Sequence, residues 1–291
     1  MTSVKKLFAQ LSRRGPHRVL RGDMAIVGLP GLVYTPESGN DLPGVAFGHG
    51  WLTHSRQYRD TLEHLASWGI VVAVPDTERG PLASDRALAV DLETTLAIIS
   101  SVRLGSGAIT VHPERLALAG HGLGASAAVL AAGDSQRAKA LAALFPAPTG
   151  PAVLPAAHRA RVPALILAAP DDLDGITSNA LALRNALQGD RVALRTVPKS
   201  NNRGLAEGFS VRKRLGDGSD HAKTQKATRA MLTGFLLAHL GGAAARGKTA
   251  IGDPTYSDFA DPSVAIGKLE TVDPAGVDID TTDPITRLLR S

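Results

Sequence analysis

The chain contains no cysteine. That excludes disulfide staples, thiolate nucleophiles and cysteine-bound zinc, and it leaves the compartment open. Aromatic residues are scarce, at 4%. None is interleaved with a basic run, so a nucleic-acid partner is not expected. Long apolar runs are also missing. Leu7-Phe8-Ala9 follows Lys5 and Lys6 but breaks at Gln10, which is too short for a signal-peptide core. No later stretch approaches the ~18–20 apolar residues of a membrane span. The expectation is a cytoplasmic protein.

What is present is enough for a sizeable core: 291 residues suit one α/β domain. The formal charge of +5 is unevenly placed. Residues 249–291 carry eight acids against Lys268, Arg287 and Arg290, a local charge of −5 that leaves +10 for residues 1–248. A basic body with an acidic tail suggests a partner for the tail, within the chain or on another subunit.

Three segments emerge. Residues 1–15 place Val4, Leu7, Phe8 and Leu11 at helical spacing among Lys5, Lys6, Arg13 and Arg14, a short basic amphipathic helix. It could touch an anionic membrane; packing on its own domain or a neighbour is the preferred reading. Residues 16–242 alternate strands and helices. Gly44–Gly48, Ile70–Pro75, Arg115–Ala119, 140–145, 164–169 and 192–197 are apolar strands, and 85–101, 125–132, 176–187 and 223–240 are helical. Short apolar strands alternating with helices predict a mostly parallel central sheet covered on both faces, with an antiparallel ribbon (18–27 and 31–36) ahead of it. Within this body, 198–222 is a long insertion rich in Lys, Arg, Gly and Asn. Residues 243–291 are an acidic arm with four Asp-Pro pairs; its scattered apolar residues predict an extended arm laid on a surface.

The most informative stretch is Gly120-His121-Gly122-Leu123-Gly124, between a buried strand and a helix. It has the form of the G-x-S-x-G nucleophile elbow with glycine in place of serine. Glycine has no side chain to attack a carbonyl, and it adopts positive φ at little steric cost. The same residues also fit G-x-G-x-x-[GA], as Gly120, Gly122 and Ala125. That dinucleotide pattern needs an acid at the end of the next strand, where Leu144-Phe145-Pro146-Ala147 stands instead. No cofactor is expected. Asp171, Asp172 and Asp174 cluster together but lack the remaining ligands of a calcium loop, so no metal is expected either.

From about Gly15 to Leu240 the chain resembles the α/β hydrolases that include cutinase-type bacterial polyester hydrolases, lipases and dienelactone-hydrolase relatives. GVAFGHGW (44–51), HLASWGIVVAVPDT (64–77), ERLALAGHGLG (114–124) and RVPALILAAPDD (161–172) carry the likeness. The resemblance implies an α/β-hydrolase fold with Gly122 at the nucleophile position. The backbone N–H groups of Trp51 and Leu123 would form the oxyanion hole. Asp172 would be the triad acid, with Asp171 the alternative. His221, before the last helix, is favoured as the triad histidine over Asn202. His49 is expected to be structural. After the strand at 140–145 the polyester-hydrolase relatives carry an aromatic; here the run is Pro146-Ala147-Pro148-Thr149-Gly150-Pro151, so polymer and long-acyl substrates are not expected.

Ser126 lies one helical turn past the apex and does not replace the missing hydroxyl. The leading expectation is therefore a hydrolase-fold pseudoenzyme acting through binding, or through self-assembly or a protein partner at the N-terminal helix, the insertion and the arm. The alternative is an esterase or lactonase in which His221 and Asp172 activate water against small acyl substrates.

Overall fold

Strands buried on both faces must be apolar at every position, and the short Val-, Leu- and Ala-rich runs meet that requirement. In the computed structural model they form one nine-stranded sheet. The strands are β1 (Val19–Asp23), β2 (Gly31–Pro36), β3 (Gly39–Gly48), β4 (Val71–Pro75), β5 (Ile109–His121), β6 (Ala138–Leu144), β7 (Ala164–Ala168), β8 (Val192–Thr196) and β9 (Glu270–Thr271). Their order is β1-β2-β4-β3-β5-β6-β7-β8-β9. The six from β4 to β8 are parallel; β1, β2 and β9 pair antiparallel at the edges. The structure describes residues 3–148, 150–173, 178–189, 191–201, 205–206, 218–241 and 252–273, with backbone alone for 218–221.

Side chains along each strand alternate between two cores. Ala46, Ala73, Leu118, Leu141, Ile166 and Leu194 face α3 (Asp85–Ser101), α4 (Leu123–Asp134), α5 (Val153–Arg159) and α6 (Ala180–Ala186). Phe47, Val72, Ala119, Ala142, Leu165 and Ala193 face α1 (Val4–Leu11), α2 (Arg59–Ser67), α7 (Gly218–Leu240) and α8 (Ser257–Ala260). A sheet with helices on both faces is the expected architecture. Among the described residues no helix is long and apolar enough to cross a membrane.

Several boundaries differ from the sequence reading. The first ribbon strand stops at Asp23, because Met24–Val27 turns as a 3-10 helix capped by the Asp23 carboxylate. α5 was not foreseen in its Pro-rich surroundings. α7 starts at Gly218 rather than 223, so residue 221 is within its first turns instead of ahead of it.

The two flanking segments are packed against the body. α1 buries Leu7 and Leu11 beside α2 and α7, with its basic residues outward. Of the arm, 252–273 lies on the α7 face: Phe259 fills the notch left by Gly234, and Ile266 and Leu269 are buried. β9 then extends the sheet beyond β8. Fully buried Arg195 on β8 clamps this segment, donating to Asp261 O at 2.8 Å and Thr271 Oγ1 at 3.1 Å. Burial lowers its pKa, with the Asp261 charge opposing.

Candidate functional site

In a parallel sheet, ligands bind at the carboxyl ends of strands where the chain reverses its direction of winding. Here β4 lies on one side of β3 and β5 on the other. The chain leaves β3 for α2 on one face and leaves β5 for α4 on the opposite face. The topological switch point therefore lies between the loop after β3 and the turn after β5. Those are the His49-Gly50-Trp51 loop and the Gly122 turn.

The turn has an unusual backbone. Gly122 sits at φ 56°, ψ −116° between β5 and α4, the mirror image of an ordinary type II corner. Its N–H donates to Leu144 O at 3.1 Å, and its carbonyl accepts from Ala125 N at 3.1 Å. The flanking glycines are required by contact. A Cβ on Gly124 would lie 2.1 Å from Gly48 O, one on Gly120 2.1 Å from Gly124 O, and one on Gly48 2.8 Å from Gly124 Cα. These absences let the start of α4 press onto β3 and β5. The apex differs: a Cβ on Gly122 would meet only Gly50 Cα, at 3.7 Å. Three glycines are there because nothing larger fits, and the fourth stands in open space.

Beneath the turn is a polar and aromatic support. His121 is buried against Tyr58 and Phe145, and Phe47 stacks on Tyr58 in turn. The Tyr58 hydroxyl accepts from Gly50 N–H at 2.9 Å and lies 2.8 Å from Nδ1 of His121. The Thr53 hydroxyl donates to Gly50 O at 2.6 Å. His49 is fully buried, its ring nitrogens 2.9 Å from Gly50 O and 2.6 Å from Thr77 O; it ties the loop after β3 to the loop after β4, a structural role.

Tyr58 occupies the Gly50 N–H, which is therefore not available to a ligand. Among the described residues, the N–H groups of Trp51 and Leu123 donate to no backbone acceptor. Leu123 opens α4, where the helix dipole favours negative charge. Close approach of Gly50 to the apex brings the two loops together.

The remaining candidates are spread along the same rim. Asp171 and Asp172 form a 3-10 turn directly after β7, with Asp171 exposed and Asp172 half-buried. β7 is two strands from β5, about 10 Å by strand spacing. Residue 221 lies on α7, which follows β8, and its side chain is outside the described set, as is Asn202. Ser126 is buried without a hydrogen-bond partner in α4. No group of three or more His, Asp or Glu among the described residues is placed to hold a metal.

Neither a protein-family model nor a curated protein matches this chain. The reading of the site therefore rests on its geometry.

The backbone is strained around this rim. Leu52 (φ 52°), Glu78 (φ 49°), Phe145 (φ 46°) and Lys199 (φ 58°) follow β3, β4, β6 and β8, and among the described residues only Asp41 of the positive-φ non-glycine residues lies elsewhere. Each such conformation costs on the order of 1–3 kcal/mol and persists where surroundings impose it. Sequence reasoning missed Tyr58, Thr53 and Thr77. An isolated Tyr or Thr in a loop carries no pattern, and only the convergence of Tyr58 and Thr53 on Gly50, and of Thr77 on His49, shows what they do.

Proposed function

We propose that this chain is an α/β-hydrolase-fold protein that has lost covalent hydrolysis and kept the hydrolase site as a binding site for a small acyl or carboxylate ligand. The strand order, the sharp turn after β5 and the two unspent amides support the fold assignment. One observation carries the pseudoenzyme reading. The apex retains the backbone angles of a nucleophile elbow, and its flanking glycines are sterically enforced, yet the position of the side chain is empty. A turn held in that conformation without a nucleophile can still present N–H groups to an oxygen.

Assembly through the flanking segments is the weaker part of the reading. The apolar residues of α1 and of 252–273 are spent on the chain's own body. Asp171 or Asp172 and His221 remain the candidate acid and base.

The test is Gly122→Ser. The new Cβ has room, so the variant folds, and the positive-φ backbone costs it about 1–3 kcal/mol. Expected is hydrolysis of p-nitrophenyl acetate above the wild-type level, covalent labelling by a fluorophosphonate, and loss of the gain when His221→Ala is added. Removing the serine from the complete triad of subtilisin costs about 10⁶ in turnover, so even a partial restoration is measurable. A folded Gly122→Ser variant that neither turns over nor labels would refute the hydrolase frame. Wild-type turnover abolished by His221→Ala would replace the pseudoenzyme reading with the water-activating one.

A further inference from the structure

Local opening begins where an element is held by apolar burial alone and a buried group beside it can gain a charge. α1 is held in that way. Leu7 and Leu11 are buried, and Val4 and Phe8 pack beside them against the core shared with α2 and α7. Among the described residues no hydrogen bond or ion pair joins Val4–Gln10 to another element. The ties to the body start just after the helix. Arg13 O accepts from the Trp68 indole at 3.1 Å, Gly15 N donates to Ser67 Oγ at 2.8 Å, and His17 N donates to Ser67 O at 3.0 Å. A Cβ on Gly15 would lie 2.3 Å from Ser67 O, so the chain is pinned there against the end of α2. α1 can lift from the body while that anchor stays in place.

Beside the last turn of this helix lies His64, on α2 and 7% exposed. Three groups face its ring from the elements around it. The Leu11 carbonyl comes from the end of α1, Arg14 from the segment that follows, and Arg229 from α7. Its Nε2 has no hydrogen-bond partner. Both acids of α2 are engaged elsewhere, Asp60 with Arg229 at 4.0 Å and Glu63 with Arg59 at 2.8 Å. A proton on the ring would add a third positive charge beside two guanidinium groups, largely out of water and with no carboxylate facing it.

We infer that His64 is an acid-sensitive latch, whose protonation releases α1 from the body while the sheet stays folded. Lifting the helix gives the charged ring access to water. It also uncovers Leu7 and Leu11 and the apolar wall beneath them, so the domain presents a new surface in acid. His239 does not share this role. It stands ten residues beyond Arg229 on α7, about 15 Å further along the helix axis.

Linkage sets the size of the effect. Burial and then Arg229 lower the pKa of the enclosed ring from the ordinary 6.5 to about 4, with the Leu11 carbonyl opposing and Arg14 adding. As pH falls, the open form with its hydrated ring takes up the proton first. The ratio of open to closed helix therefore rises about twentyfold between pH 7 and pH 5.

Hydrogen exchange of the full-length protein, corrected for the intrinsic pH dependence of exchange, tests the latch. Protection of the α1 amides should lie below that of β4 to β7 at both pH values and fall about twentyfold from pH 7 to pH 5. The sheet's circular dichroism should be unchanged. His64→Gln should abolish the fall in α1, and His239→Gln should leave it in place. Because the chain has no cysteine, a thiol gives a second readout. Labelling of Leu7→Cys, shielded in the closed helix, by 4,4′-dithiodipyridine should accelerate in acid relative to the exposed Ala9→Cys. Arg229→Gln frees Asp60 to face a charged ring and should shrink the fall, which decides the matter if His64→Gln does not fold. Helix amides as protected as the strands at pH 5 would overturn the latch. So would a fall that persists in His64→Gln or is unaltered in Arg229→Gln, or a sheet that unfolds together with the helix.

Discussion

The four glycines around the elbow separate two uses of the same residue. At Gly124 the absence of a Cβ is a packing requirement, because Gly48 O would be 2.1 Å away. At Gly122 it is a matter of backbone angle alone. Gly124→Ala should therefore fail to fold or lose more than about 3 kcal/mol, in the range of severe overpacking. Gly122→Ala should lose only about 1–3 kcal/mol. Denaturant midpoints with unchanged slopes would verify the contrast; equal losses would contradict it. Tyr58 offers a second comparison at this scale. Tyr58→Phe keeps the ring stack but strands the buried Gly50 N–H and Nδ1 of His121. A loss of about 1–3 kcal/mol is expected, along with weaker gain of activity when combined with Gly122→Ser, because the Gly50-Trp51 loop loses its anchor.

Among the elements, the strands were the most legible. β4, β6 and β7 are short apolar runs because both faces of the sheet are covered, and that composition survives any choice of neighbour. The elbow strand and helix were legible for the same reason, together with the glycine spacing. Less visible were elements whose reason to exist lies elsewhere in the chain. α5 is seven residues in a Pro-rich stretch, and its partner is the surface of α4 near Gly133, where a Cβ would meet Ala156 O at 2.6 Å. β9 is two residues long and is a strand only because β8 offers an open edge. Arg195, fully buried on β8, has its partners on the segment that covers it. That segment contributes to the core, so Phe259→Ala should cost about 3–5 kcal/mol, the usual range for a buried Phe. Calorimetry or denaturant unfolding measures this directly, and a loss under about 1 kcal/mol would show that the arm packs only loosely.

Across the whole molecule, one buried and one half-buried histidine link α7 to its surroundings. His64, on α2, faces Arg229 and Arg14, and burial followed by those charges lowers its pKa to about 4. His239, on α7, stacks edge-on against Phe235, and burial followed by Arg191 lowers its pKa to about 4 as well. Both folded values lie below the unfolded ~6.5, so the unfolded chain binds more protons as pH falls. Their contribution is fully present above about pH 6.5 and is lost progressively toward pH 4. At pH 5 each should remove on the order of 1–2 kcal/mol relative to pH 7. A melting temperature that falls from pH 7 to pH 5, with a smaller fall in a His64→Gln, His239→Gln variant, is the expected result.

The sequence by itself determined the class of fold and the glycine-rich turn at its centre. Local composition decides which runs are buried strands, and a glycine at the apex is chemically inert in any tertiary setting. Tertiary structure decided which glycines are obligatory, which backbone N–H groups are tied up around the turn and where residues 252–273 lie. It also placed five of the eight large apolar side chains exposed among the described residues on three adjoining loops. Those outcomes depend on distances between residues remote in sequence, such as Gly48 to Gly124, Tyr58 to His121 and Arg195 to Asp261. Such contacts form only when the crossovers bring β3, β5 and β8 into one sheet, and no local pattern encodes them.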